Sequence, residues 1–220
     1  FSLQTMMRVS AYAGDLGIEP GARVDSRNSA MSLVANMLGQ PELLARSKPL
    51  TVVHNGETVE GTFMELAKGS QRSHIRKNDP ILKCSIESYN NAQLLKSIAD
   101  MQIVDFLCCN VDRHGGNLTY IVDNSNPKSP IVTGVQGIDN DMSFGVRRMG
   151  GDTSFFEGTT TFNDILVISR SMADKVLNMD AEKYIHSLRG QGLEVDACLA
   201  AERRLIKLQE KIREGEKHFE

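Results

Sequence analysis

The sequence predicts an α+β fold, and three observations carry that reading. Asn55-Gly56 stands between two runs rich in β-branched residues, and this pair favours a tight hairpin turn. Apolar residues recur at helical spacing in the stretches around 31–38, 94–107 and 199–212. Leu118–Val122 and Ile131–Val135 bracket the polar run Asp123–Pro130, which predicts a second hairpin.

Composition sets the outer bounds. The chain has 220 residues, 40% hydrophobic and 24% charged, enough for one large domain or two small lobes. A net charge of -3 argues against a general nucleic-acid binder. No apolar run approaches a membrane span, and Phe1–Arg8 lack the basic start and long apolar stretch of a signal peptide. The chain begins with Phe rather than Met, which predicts a piece of a longer protein. Cys84, Cys108, Cys109 and Cys198 show no CxxC spacing, and Cys108-Cys109 lies inside an apolar run. They are expected to be reduced core thiols in a reducing cytoplasm.

The elements follow in order. Thr5–Ala13 fits a strand or a short helix, and Gly14–Gly21 is punctuated as loop. A helix is expected from Asp25 or Asn28 to Leu38, with Met31, Val34, Ala35 and Leu38 on its apolar side and Gly39 as its stop. The hairpin then spans about 50–64 and runs into Met64-Glu65-Leu66-Ala67-Lys68-Gly69. Residues 69–80, with Arg72, His74, Arg76 and Lys77, read as a solvated loop. Ser88-Tyr89-Asn90-Asn91 opens a long helix. Leu94, Leu95, Ile98, Met101 and Ile103–Leu107 make it apolar on more than one face, so it is expected to be buried. Two or three further helices are expected, over Phe162–Met179, the short stretch Ala181–Leu188 and Glu194–His218.

The chemistry concentrates after the long helix. Asp112-Arg113-His114-Gly115-Gly116-Asn117 breaks out of an apolar run and is answered by Ile138-Asp139-Asn140-Asp141 across the second hairpin. Polar turns between core strands also use Asp and Asn. An Asp and an Asn five residues apart, followed by a second Asp after a hairpin's length, is nevertheless the layout of a phosphoryl-transfer site. Asp112 would orient a hydroxyl and accept its proton. Asn117 and Asp139 would hold magnesium, which prefers oxygen ligands, and Asp141 would assist with a second ion. Arg113 and His114 would steady the loop or the phosphate. The other histidines, His54, His74, His186 and His218, have no spacing that suggests a metal site.

At these residues a resemblance enters. Asp112-Arg113-His114-Gly115-Gly116-Asn117 resembles the DRHxxN catalytic loop of phosphoinositide kinases and HipA-like protein kinases. Ile138-Asp139-Asn140 is similar to their metal-binding motif, and Ser26–Ala30 with Val34–Gly39 resembles their N-lobe helix. The resemblance covers roughly residues 24–145. It implies a two-lobed protein-kinase-like fold: residues 1–68 as a partial small lobe, with a hinge at about 64–69, and residues 69–220 as a mostly helical lobe. ATP and magnesium would be the cofactors, and the backbone at Met64, Glu65 and Leu66 would hold adenine. Arg147 and Arg148 fall in what would be the activation segment. Two arginines are few for a lipid headgroup, so a protein hydroxyl is the expected acceptor, with a phosphoinositide as the alternative. A pseudokinase-like binding module and a nucleotidyl transferase are the other readings. The compartment would be the cytosol, bacterial or that of a host.

The resemblance is incomplete in two respects. Ser29–Gly39 contains no acid to pair with an ATP-binding lysine, and the first lysine in the chain is Lys48, after the helix. Arg8, Arg23 or Arg27 could substitute. The simpler expectation is that an upstream segment or a partner completes the small lobe, and that these residues alone turn over ATP weakly or not at all.

Overall fold

The computed structural model describes residues 17–18, 24–71, 74–146 and 167–216. Within them the fold is α+β, with helices around two small antiparallel sheets. Helix α1, Val24–Met37, comes first. It ends on Gly39 at φ 70°, where Gln40 N–H donates to Ala35 O and Gly39 N–H to Asn36 O. That pair of bonds is the Schellman stop, and glycine takes the left-handed φ without a Cβ penalty.

Strands β1, Ser47–His54, and β2, Glu57–Met64, form the first hairpin, three residues longer at its start than the sequence suggests. Its turn is Asn55 at φ 52° and Gly56 at φ 83°, both left-handed as a type I′ turn requires. The hairpin leans on α1 through Thr62 Oγ1, which donates to Asp25 O at 3.1 Å. A short strand β3, Ser70–Gln71, joins β4, Leu118–Asp123, and β5, Ile131–Gly137, in the order β3-β4-β5.

Helix α2, Ala92–Cys108, is capped by Asn91, whose side chain accepts from Leu94 N–H and donates to Val132 O. The cap therefore fixes the helix to β5 as well as starting it. The closing helices are α3, Arg170–Leu177, α4, Ala181–Gly190, and α5, Val195–Glu216. Gln209 on α5 donates to Val176 O and Met179 O at 2.9 Å each and so ties α5 to the end of α3.

One buried cluster joins Met31, Val34 and Ala35 of α1, with Leu38 just after it, to Ile103 and Leu107 of α2, Val135 of β5, Tyr184 of α4 and Leu205 of α5. Helix α1 thus shares its core with the C-terminal helices. The reason is visible in the sequence: small residues such as Ser26, Ser29, Ala30 and Ser32 let neighbours approach α1 on every side, and all four are buried.

The helix expected over Phe162–Met179 begins only at Arg170. Residues 167–169 are extended or irregular, and Ser169 caps the helix by accepting from Met172 N–H. A hydroxyl placed there competes with the preceding backbone and starts a helix rather than continuing one. Residues 162–166, the Thr5–Ala13 reading and Arg147-Arg148 lie outside the described residues. The thiols also need correction: Cys108 and Cys198 are buried, whereas Cys84 and Cys109 are half-buried. Among the described residues no helix is long and apolar enough to cross a membrane.

Leu107 is completely buried where α2 meets α1 and α5. Leu107→Ala should cost about 2–5 kcal/mol through lost burial and the cavity left behind. Urea denaturation checks this. A cost within experimental error of zero would mean that α2 is not the packed centre.

Candidate functional site

The site begins where α2 stops. Cys109 adopts φ 48°, and the N–H groups of Cys109 and Asn110 donate back to Phe106 O and Asp105 O. This turns the chain sharply out of the core. A side-chain-bearing residue in the left-handed region costs roughly 1–2 kcal/mol, so the turn is held by its neighbours. Asn110 is one of them: its Nδ2 donates to Asp105 Oδ1 at 3.1 Å and its Oδ1 accepts from Asp112 N–H at 3.1 Å.

Arg113 points inward while Asp112 points outward. The Arg113 guanidinium is buried and every donor is used. Nε and Nη2 bind the Asp105 carboxylate at 3.0 Å, and Nη1 donates to Asn117 O at 2.9 Å and Ile138 O at 3.1 Å. A second Nη2 donor reaches Asn140 Oδ1 at 2.6 Å. One side chain therefore fastens α2, the Asp112–Asn117 loop and the Asp139 loop together. Gly137 makes room for it, since a Cβ there would come within 2.8 Å of the guanidinium carbon. Of the two expected roles for Arg113, bracing the loop is the one its position allows. Its donors do not face a phosphate.

Asn117 is held by its amide nitrogen, which donates to Asp112 O at 2.8 Å and Asp112 Oδ2 at 2.9 Å. That fixes the flip of the amide and leaves Oδ1 as the free acceptor among the described residues. His114 is half-exposed. Its Nδ1 accepts from Gly116 N–H at 3.0 Å, so Nε2 carries the proton in the neutral ring and stands 3.7 Å from Asp112 Oδ1. Gln71 of β3 donates to Gly116 O at 2.8 Å and supports the turn from the side.

The partner loop is drawn in by backbone contacts. Ile138 N–H donates to Asn117 O, Phe144 N–H to Cys108 O, and Val111 N–H to Met142 O. Asp139 sits at φ 54°, a conformation that Asp tolerates better than most residues. Asp141 is pushed up to about 6, first by burial and then by the neighbouring Asp139 carboxylate, with Asp112 adding to it. Asp112, Asp139 and Asp141 are thus electrostatically close, and Asn117 is tied to Asp112 through its amide nitrogen.

The expected adenine contacts are placed differently from one another. Met64 ends β2. Glu65 N–H donates to Arg46 O at 2.8 Å and its carboxylate pairs with Arg46, while Leu66 is 95% exposed. Gln136 secures the next residues, accepting from Lys68 N–H at 2.7 Å and donating to Glu42 O and Leu44 O. The connection from β2 to β3 therefore runs beside the strand positions next to Asn117 and Ile138. Arg27, a candidate phosphate anchor, is instead buried: it donates to Ser143 O at 2.5 Å and pairs with Glu194 at 2.8 Å. Arg8 and Arg23 lie outside the described residues.

Asp105, Asn110, Gln136 and Asn28 escape a reading of the sequence. Asp105 alone gave a signal, an acid inside the apolar run Ile103–Leu107, where an unpaired charge is costly.

Whether these residues suit a magnesium–nucleotide group can be tested on their donor atoms. Among the described residues no group of three or more His, Cys, Asp or Glu side chains forms a ready metal cage. Magnesium bound with a nucleotide does not need one: it takes one or two carboxylates plus phosphate oxygens and water. An amide oxygen presented by Asn117 and the paired Asp139 and Asp141 fit that demand. No protein-family model matches the chain, and no curated protein matches it either.

Two outcomes follow. Arg113→Met leaves Asp105 buried and unpaired and should cost about 3–5 kcal/mol, with most of it recovered in Arg113→Met/Asp105→Leu. Denaturation of the two variants decides between a buried pair and an incidental contact. The Asp141 carboxyl is raised above its unfolded value of 3.8, so its contribution to stability is present at low pH and lost as pH rises through about 6. Asp141→Asn should raise the melting temperature at neutral pH and flatten its rise on acidification. A variant that melts below the parent at neutral pH contradicts the assignment.

Proposed function

We propose that the chain is a phosphotransferase domain that binds ATP with magnesium and passes the γ-phosphoryl group to a hydroxyl. The observation that carries this reading is the junction at Arg113. Its buried contacts to Asp105, Asn117 O, Ile138 O and Asn140 tie the loop of Asp112 and Asn117 to the loop of Asp139 and Asp141. Asp112 would orient the hydroxyl and accept its proton. Its carboxylate is itself oriented by Asn117 Nδ2, and its loop by Asn110. Asn117 Oδ1 and Asp139 would hold the cation, with Asp141 behind them. Bound nucleotide would supply the phosphoryl group, and magnesium would neutralise its charge. The Nε2–H of His114 faces the Asp112 carboxylate, which suits holding that base in place. The acceptor we favour is a protein hydroxyl in the cytosol.

A binding module without transfer is the second reading, and one observation favours it. Arg27 is committed to Ser143 and Glu194, and the Lys48 ammonium lies 5.8 Å from the ring centroid of Phe63, its partner across the base of the hairpin. Neither is set to grip phosphates beside Asp139.

Incubation with γ-labelled ATP and magnesium separates the readings. Label on a protein acceptor supports the first, and nucleotide binding with no transfer, both from these residues and from a chain extended at its N-terminus, supports the second. Asp112→Ala should lower transfer by about 10²–10⁴-fold while leaving the fold intact, because a half-exposed loop carboxylate adds little to the core. Unchanged transfer would remove Asp112 from the chemistry.

A further inference from the structure

We propose that Arg27 and Asn28, consecutive residues in the first turn of α1, are positioning residues for the acid pair Asp139 and Asp141. The inference rests on the phosphotransferase reading and adds to it the element that aims its cation site.

The geometry is specific to the acid loop. Asn28 Oδ1 accepts from Asn140 N–H at 2.9 Å, immediately after Asp139 and before Asp141. Arg27 Nη1 donates to Ser143 O at 2.5 Å, two residues beyond Asp141. Two neighbouring side chains therefore grip the backbone on both sides of Asp141. The far end of Arg27 is anchored to Glu194 at 2.8 Å, so the grip is braced against the start of α5. Asn140 is completely buried and is held from two further directions, by Arg113 on its Oδ1 and by Ser143 Oγ on its carbonyl.

The loop needs such restraint for two reasons. Asp139 at φ 54° and Phe144 at φ 57° both occupy the left-handed region, which costs free energy for side-chain-bearing residues and persists only where neighbours determine it. Two carboxylates set close together also repel, and a loosely held loop would separate them. Fixing the Asn140 and Ser143 backbone opposes both tendencies before any cation arrives. A positively charged Arg27 behind the loop adds a compensating charge without reaching the exposed face. Helix α1 carries no acid after Asp25 to play another part at the site. Its first turn acts on the acids instead.

Residues that orient metal-binding groups typically change cation affinity about 10–100-fold when removed. The test measures ATP-dependent thermal stabilisation of the whole chain against magnesium concentration and takes the half-saturating magnesium as its readout. Asn28→Ala should raise that concentration about tenfold, and Asn28→Asp, which keeps the acceptor oxygen, should restore most of the loss. Glu194→Gln, at a side chain 40% exposed, keeps an amide oxygen as acceptor for Arg27 but removes its charge; it should lower the melting temperature and raise the magnesium midpoint severalfold by loosening Arg27. Ser32→Ala removes a hydrogen bond from α1 to Ser47, away from the loop, and should lower the melting temperature without moving the magnesium midpoint. A parent chain with no magnesium-dependent response overturns the phosphotransferase reading, and the inference falls with it. A parent that responds, with the same midpoint in Asn28→Ala and Glu194→Gln, overturns the inference alone. Should Asn28→Ala fail to fold, the Glu194→Gln midpoint decides.

Discussion

The buried pair between Arg113 and Asp105 is the constraint on which the rest of the site depends. A guanidinium taken out of water is tolerated only when its charge is matched and its donors are filled. Here the match comes from a carboxylate in the last turn of α2, and the remaining donors are filled by backbone oxygens of both loops and by the Asn140 side chain. The interaction does not need to add net stability to matter. It selects one arrangement, because displacing either loop would strand a charge in the core. The polar face seen by solvent is thus set by a charge that solvent does not see.

A second consequence is a division of labour between adjacent residues. Asp112 is turned outward and Arg113 inward, so one dipeptide supplies both a solvent-facing carboxylate and the buried cation behind it. The same division recurs opposite: Asp139 is exposed, Asn140 is buried, and Asp141 is partly covered. Opposite, the alternation comes from the left-handed turn at Asp139 and from the bonds that draw Asn140 inward to Arg113 and Asn28. It also explains why burial raises Asp141, which has Asp139 beside it and the core behind it.

Much of the local structure was legible in the sequence. The Asn55-Gly56 turn, the Gly39 stop and the Asn91 cap are short-range signals, each requiring particular backbone angles or an available side-chain oxygen. The burial of the second half of α2 was legible from its apolar run, whereas Leu95 and Ile98, expected to be buried too, are exposed in its first half. The two loops were recognisable from residue type and spacing. What holds them was not. Arg27 meets Ser143 across 116 positions and Asn28 meets Asn140 across 112. Such contacts depend on how elements pack, and no periodicity or turn preference encodes them. Arg113 shows the limit clearly: its type suggested a phosphate ligand or a brace, and only the position of Asp105 chooses. The shared core of α1 was hidden for a similar reason, since small polar residues such as Ser26 and Ser29 suggest a wet helix but also permit close packing.

The β4–β5 hairpin carries a different kind of freedom. Leu118 pairs with Gly137, and Ile138 N–H meets Asn117 O, so the two loops are aligned at the base of the ladder. Nothing at that base depends on the tip, where residues 124–129 are all exposed. The strand register absorbs what happens beyond it, and an irregularity at Ile121/Val122 already interrupts the ladder partway. Foreign sequence spliced into this tip, such as an epitope or a fluorescent reporter, would hang from the far end of a rigid arm. The molecule thereby offers a handle for tethering or imaging that leaves the acids at the other end undisturbed.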